Sequence, residues 1–213
     1  MFRKMVNLTG QFKHSKMTIN LAILLSGRGS NFVALYSAVQ RGDLQAKITL
    51  VASNSEDAIG LKTAREFGIP TAVFERKRFS QGSDYSDYMF KILAEHNVDA
   101  IALAGYLKKI PPVVVRHYRN RILNIHPALL PKFGGKGMYG INVHRAVIES
   151  GENETGVTIH FVNEEYDEGK IILQAKAPVY PEDTPEVLAA RVLKVEHNTY
   201  WRGVQKYIDE RNK

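Results

Sequence analysis

Asn20-Leu21-Ala22-Ile23-Leu24-Leu25-Ser26-Gly27-Arg28-Gly29-Ser30-Asn31 is the stretch that settles the fold class. Residues 20–25 are a short, unbroken aliphatic run, as in a strand covered on both faces. Phe32, Leu35, Tyr36 and Val39 then recur at helical spacing. The unit reads strand, glycine turn, helix. Its glycines permit a tight turn and close backbone approach, and free N–H groups at the helix start favour an anion, typically phosphate. It is not a dinucleotide fingerprint, because the third glycine position falls at Phe32, and no Walker lysine follows. The other reading of the loop is a plain turn capped by Ser30 or Asn31.

The same alternation continues outward. Residues 47–53 read as a second strand, 58–67 as a helix stopped by Gly68 and Pro70, and 71–74 as a third strand. Ser83 is then an expected N-cap, and Tyr85, Tyr88, Met89, Ile92 and Leu93 form one apolar stripe that reads as core. Residues 99–104 make another buried-type strand, 111–118 a short helix with proline in its first turn, and 122–125 a strand running into His126. After Pro127 come a glycine-rich loop, a helix at 143–150 and two strand-like runs at 155–162 and 170–177. A long helix from N-cap Thr184 to about Glu210 closes the chain. The pattern predicts an α/β fold: an open, mostly parallel twisted sheet with helices on both faces and some antiparallel strands in the C-terminal half. In such sheets ligands bind beyond the carboxyl ends of the strands.

Composition agrees with a globular chain of 213 residues, 44% hydrophobic and 24% charged. The absence of cysteine excludes a disulfide scaffold, a thiolate metal site and a cysteine nucleophile. A net charge of +7 invites a nucleic-acid reading, but Arg3, Lys4, Lys13 and Lys16 precede Thr18 with no acid, so most of the surplus lies in that tail. The expectation is a poorly ordered basic extension over 1–17, with Met17 a candidate start, and a single domain over 18–213. With no signal-like or membrane-length run, the chain is expected to be cytoplasmic, with neither nucleic acid nor membrane as partner.

Three positions can carry chemistry. The glycine loop is one. Asn124-Ile125-His126-Pro127 ends a strand with an amide and an imidazole two residues apart, projecting to one side. Such a pair can donate to an oxygen on which charge develops, and histidine can relay protons near neutral pH; a satisfied polar pair at a strand end is the plainer account. The other histidines, including His144 and His160, show no tight ligand spacing, so no metal is expected. Glu164-Glu165-Tyr166-Asp167-Glu168-Gly169 is an acidic turn in which Gly169 permits an unusual backbone. A carboxylate there would favour a nearby imidazole's protonated form. Spacing does not say which of its acids faces a site.

Taken together, Ser26 to Asn31, Asn124-Ile-His-Pro-Ala-Leu-Leu-Pro131 and Asp167-Glu-Gly169 resemble the phosphoribosylglycinamide formyltransferase family across residues 19–205. The resemblance implies transfer of a formyl group from 10-formyltetrahydrofolate to glycinamide ribonucleotide, in purine synthesis. It implies Asn124, His126 and Asp167 as the catalytic set, with His126 acting as an imidazolium, and Gly29, Ser30 and Asn31 at the substrate phosphate. Glu196 would bind the glycinamide substrate. Leu107, Lys108, Lys109 and Ile110, with Asn124 and with Asn163, Glu164, Glu165, Tyr166 and Asp167, would hold the folate. Gly82 and Ser83 stand where members often place an arginine toward the folate, leaving Arg76, Lys77 or Arg78 as substitutes. The 134–140 loop is longer than the common form, with Asn142 and His144 near the family's polar positions, and Leu130-Pro131 is an expected cis bond. The implied partners are small molecules, and the assembly a monomer or homodimer. A formyltetrahydrofolate hydrolase, or another enzyme of this fold, is the alternative; relatives acting on tRNA would need a further domain after Trp201.

Overall fold

The computed structural model describes residues 18–213; the expectations for residues 1–17 lie outside them. The chain runs β1 (Ile19–Leu25), α1 (Ser30–Arg41), β2 (Ala46–Ser53), α2 (Ile59–Glu66), β3 (Thr71–Val73), a 3-10 turn (Arg76–Arg78) and α3 (Gly82–Glu95). It continues with β4 (Ala100–Leu103), α4 (Pro112–His117), β5 (Ile122–His126), α5 (Ile141–Glu149), β6 (Glu154–Phe161), β7 (Ile171–Pro178) and α6 (Pro185–Arg211). The seven strands form one sheet in the order β3-β2-β1-β4-β5-β6-β7. Pairing is parallel from β3 to β5 and antiparallel from β5 to β7.

Strand pleat divides the core. Leu21, Ile23 and Leu25 of β1 pack with α1, α2, α5 and α6 on one face, while Ala22 and Leu24 pack with α3 and α4 on the other. The stripe on α3 is core, with Met89 and Leu93 fully buried. Ser83 is not the cap of α3: the helix already begins at Gly82, its N-cap is Gln81, and the Ser83 hydroxyl faces Asp84. Thr184 does cap α6, accepting from the Val187 N–H at 3.3 Å. No helix among the described residues is long and apolar enough to cross a membrane.

Two close approaches fix the site side of the sheet. Gly29 caps α1 in the left-handed region (φ 78°), and a Cβ there would come 3.0 Å from the Cα of Gly60, so the starts of α1 and α2 meet backbone to backbone. The Ser26 hydroxyl, against the Asn54 side chain, accepts from the Leu107 N–H at 2.8 Å and so ties the end of β1 to the segment after β4.

Candidate active site

Asn124 and His126 alternate along β5, which sends both side chains to one face at the strand's carboxyl end. That end lies where the sheet changes from parallel to antiparallel. Register sets Asn124 opposite His160 of β6 and His126 opposite Thr158, and directly opposed residues share a face. Asn124 Nδ2 accordingly lies 3.2 Å from His160 Nε2. His160 Nδ1 is 2.9 Å from the Phe161 carbonyl oxygen, an acceptor only, so Nδ1 carries a proton and Nε2 is left facing the Asn124 amide. One amide proton of Asn124 remains for a ligand oxygen.

Thr158 fastens the run after His126. Its buried hydroxyl donates to the Ala128 carbonyl at 2.7 Å and accepts from the Leu130 N–H at 3.0 Å and from Gln174 Nε2 at 2.9 Å. The Leu130-Pro131 bond within that run is cis.

Asp167 reaches the pair from the turn between β6 and β7. Its own φ is 59°, so the unusual backbone expected at Gly169 belongs to Asp167. Gly169 is required for another reason: a Cβ there would sit 1.6 Å from the Phe161 carbonyl oxygen. Asp167 Oδ2 accepts from the Gly135 N–H at 3.0 Å and lies 3.6 Å from His126 Nδ1; Oδ1 lies 3.6 Å from His160 Nε2. Burial pushes this carboxyl up, but contact with His160, the charge of His126 and the Gly135 amide outweigh it and hold it below the usual range.

His126 Nε2 lies 2.8 Å from the Phe133 carbonyl oxygen, which assigns that nitrogen a proton and leaves Nδ1 facing Asp167. The ring is 3% exposed. Its burial outweighs the pull of Asp167 and of the Phe133 carbonyl, holding its pKa below the ordinary value. Burial thus favours the neutral ring in the free protein, with Nδ1 open toward Asp167.

A cavity of about 560 Å³ joins these groups. Asn124, His126, His160 and Asp167 line it together with Asn31 and Glu196, with residues 107–110, and with Asn163, Glu165 and Tyr166. Lys109 Nζ sits 5.0 Å over the Tyr166 ring, linking the two segments assigned to folate. Glu164 is turned away, 3.1 Å from Arg116 Nη1, and does not line the cavity. Gly29 and Ser30 lie at the start of α1, outside the lining. No side chain caps that helix, so the capping reading of Ser30 or Asn31 is not realised. A wider groove of about 1340 Å³ opens beyond Lys108 and Lys109, which line both spaces. Arg76 and Lys77 line it beside Gly82 and Ser83; Arg78 instead pairs with Glu75 and Glu56.

Nothing in the sequence singles out His160. His144, on α5, lines the cavity at 5% exposure, and burial together with the neighbouring His126 lowers its pKa to about 4. Among the described residues no group of three or more His, Asp or Glu could hold a metal ion.

An amide, an imidazole and a carboxylate at a β-strand end suit acyl transfer without a covalent enzyme intermediate. The chain belongs to the formyl transferase family, whose model matches residues 19–204. Its relatives within that family include phosphoribosylglycinamide formyltransferases. The chloroplastic one of Arabidopsis thaliana is 45% identical over 94% of this chain and 69% of its own length, and that of Haemophilus influenzae 45% identical over 84% and 82%. The crystal structure of the Brucella melitensis phosphoribosylglycinamide formyltransferase superposes with a TM-score of 0.83 at 40% identity, covering 90% of this chain and 96% of that one.

Proposed function

We propose that the protein transfers the formyl group of 10-formyltetrahydrofolate to the primary amine of glycinamide ribonucleotide, in purine biosynthesis. The observation that carries the reading is the convergence of Asn124, His126 and Asp167 with Asn31 and Glu196 in one cavity. Binding would place the formyl carbon beside Asn124 and His126, with the amine substrate toward Glu196 and its phosphate at the uncapped start of α1, near Gly29, Ser30 and Asn31. The folate would lie along residues 107–110 and 163–167, its tail toward the groove that Arg76 and Lys77 line.

The neutral amine attacks the formyl carbon, and the carbonyl oxygen gains negative charge. Asn124 donates its free amide proton to that oxygen. His126, neutral at rest, takes the proton lost by the attacking nitrogen at its open Nδ1. It becomes an imidazolium whose charge Asp167 stabilises across 3.6 Å. That proton then passes to N10 of the folate as the carbon–nitrogen bond breaks. All these groups come from one chain, so monomer and homodimer alike can hold the site.

The test is a direct assay of 10-formyltetrahydrofolate with and without glycinamide ribonucleotide, following tetrahydrofolate release. Release that depends on the ribonucleotide is expected. Release in water alone would make the protein a hydrolase, and no release under either condition would refute the reading.

A further inference from the structure

The Asn31 side chain is committed elsewhere than to phosphate. Asn31 opens α1 and Glu196 lies in the middle of α6, 165 residues away, yet Asn31 Nδ2 donates to Glu196 Oε2 at 2.5 Å. Asn31 is 7% exposed, and its Oδ1 is buried without a partner. Glu196 has no cation beside it among the described residues; burial holds its carboxyl above the usual range, and the Asn31 amide is the donor that works against that burial. Were Asn31 to swing its amide to a phosphate, Glu196 would be left in the cavity wall with neither donor nor cation. Stripping the partner from such a carboxylate is strongly unfavourable.

We infer that Asn31 is a positioning residue for Glu196. Its amide fixes Oε2, leaves Oε1 as the acceptor presented to the glycinamide substrate, and stands as a neutral spacer between that carboxylate and the anion at the start of α1. The phosphate is then held by the backbone N–H groups of the uncapped turn, not by this side chain. Recognition of the two ends of one substrate is thereby joined through a single hydrogen bond between α1 and α6, helices that pack against each other. This inference rests on the proposed function, which supplies the substrate.

A double-mutant cycle tests it. Asn31→Ala, Glu196→Ala and the double variant are compared in kcat, in Tm and in KM for each substrate, the ribonucleotide and the formyl donor. Asn31→Ala keeps the backbone N–H. Loss of a hydrogen bond to a charged group predicts a rise of about 10- to 100-fold in KM for the ribonucleotide. The KM for the formyl donor should stay within about twofold, and the double variant within about threefold of Glu196→Ala alone, because the two residues act as a unit. Asn31→Ser, run through the same cycle, carries the reading should the alanine variant fold poorly. Fold-increases that multiply in the double variant, or an unchanged KM in Asn31→Ala, would overturn it, since Asn31 would then act on phosphate independently or not at all. Absence of turnover by the unaltered protein would overturn the proposed function and this inference together; multiplying effects in an active protein overturn the inference alone.

Discussion

Replacing Asp167 by Asn removes one charge and little else. Asparagine occupies the left-handed region readily, so the φ of 59° at this position costs the variant little, and its amide oxygen can still accept from the Gly135 N–H. What disappears is the attraction between the carboxylate and the imidazolium that forms 3.6 Å away at His126. At an effective dielectric of about 20 that attraction is about 4 to 5 kcal/mol, and each 1.4 kcal/mol is tenfold in rate, so kcat should fall by roughly a thousandfold. Tm should move by only a few degrees, since both hydrogen-bonding shape and packing persist. The pH profile carries an independent signature. Asp167 raises the His126 pKa against the opposing effect of burial, so its loss lets that pKa drop further, and the limb of kcat governed by His126 must move to lower pH. The assay is steady-state tetrahydrofolate release between about pH 5 and pH 9. A kcat within threefold of the unaltered protein, or an unmoved acid limb, would refute the assignment.

Asn124→Ala deletes one donor to the developing oxyanion and should lower kcat by about 10²- to 10³-fold with little change in Tm, measured by the same assay and by calorimetry. Gly169→Ala drives a methyl group into the Phe161 carbonyl, and overpacking of about 1–3 kcal/mol should lower Tm by roughly 3–10 °C; an unchanged Tm would show that the turn relaxes freely. His144 binds a proton at about pH 4 in the folded protein and nearer its ordinary 6.5 when unfolded, so its contribution to stability is present above pH 6.5 and is lost as pH falls toward 4. His144→Gln should therefore flatten the decline of Tm between pH 6.5 and pH 4, and a decline as steep as before would place the acid sensitivity elsewhere.

Much of this architecture is written locally. The aliphatic runs of β1 and β4 are short and unbroken because both of their faces are covered, and that alone distinguishes a parallel sheet from a half-exposed one. Asn124 and His126 are legible for a similar reason: strand alternation two residues apart is a local fact. His160 is not. Its sequence surroundings mark it as an ordinary strand residue, and its contact with Asn124 exists through the antiparallel register of β5 with β6, a long-range pairing that no local pattern encodes. The commitment of Asn31 to Glu196 is hidden likewise, behind a separation of 165 residues. The direction of the His126 pKa shift also escapes a sequence reading, because a partner acid pulls it up, whereas burial of the ring pulls it down by more. Ser83 resembles a helix cap because serine is among the favoured N-cap residues; Gln81, whose side chain makes no capping hydrogen bond, holds that place instead.

The fastening of residues 128–130 by Thr158 has a practical side. Transplanting the Asn-x-His-Pro run into another α/β scaffold would carry the donors but not their aim, since the peptide groups behind His126 hang on a hydroxyl from a neighbouring strand, itself gripped by Gln174 of the next. The smallest graft that keeps its geometry is three adjacent strands wide, and a protein engineer who copies the motif alone should obtain a silent scaffold.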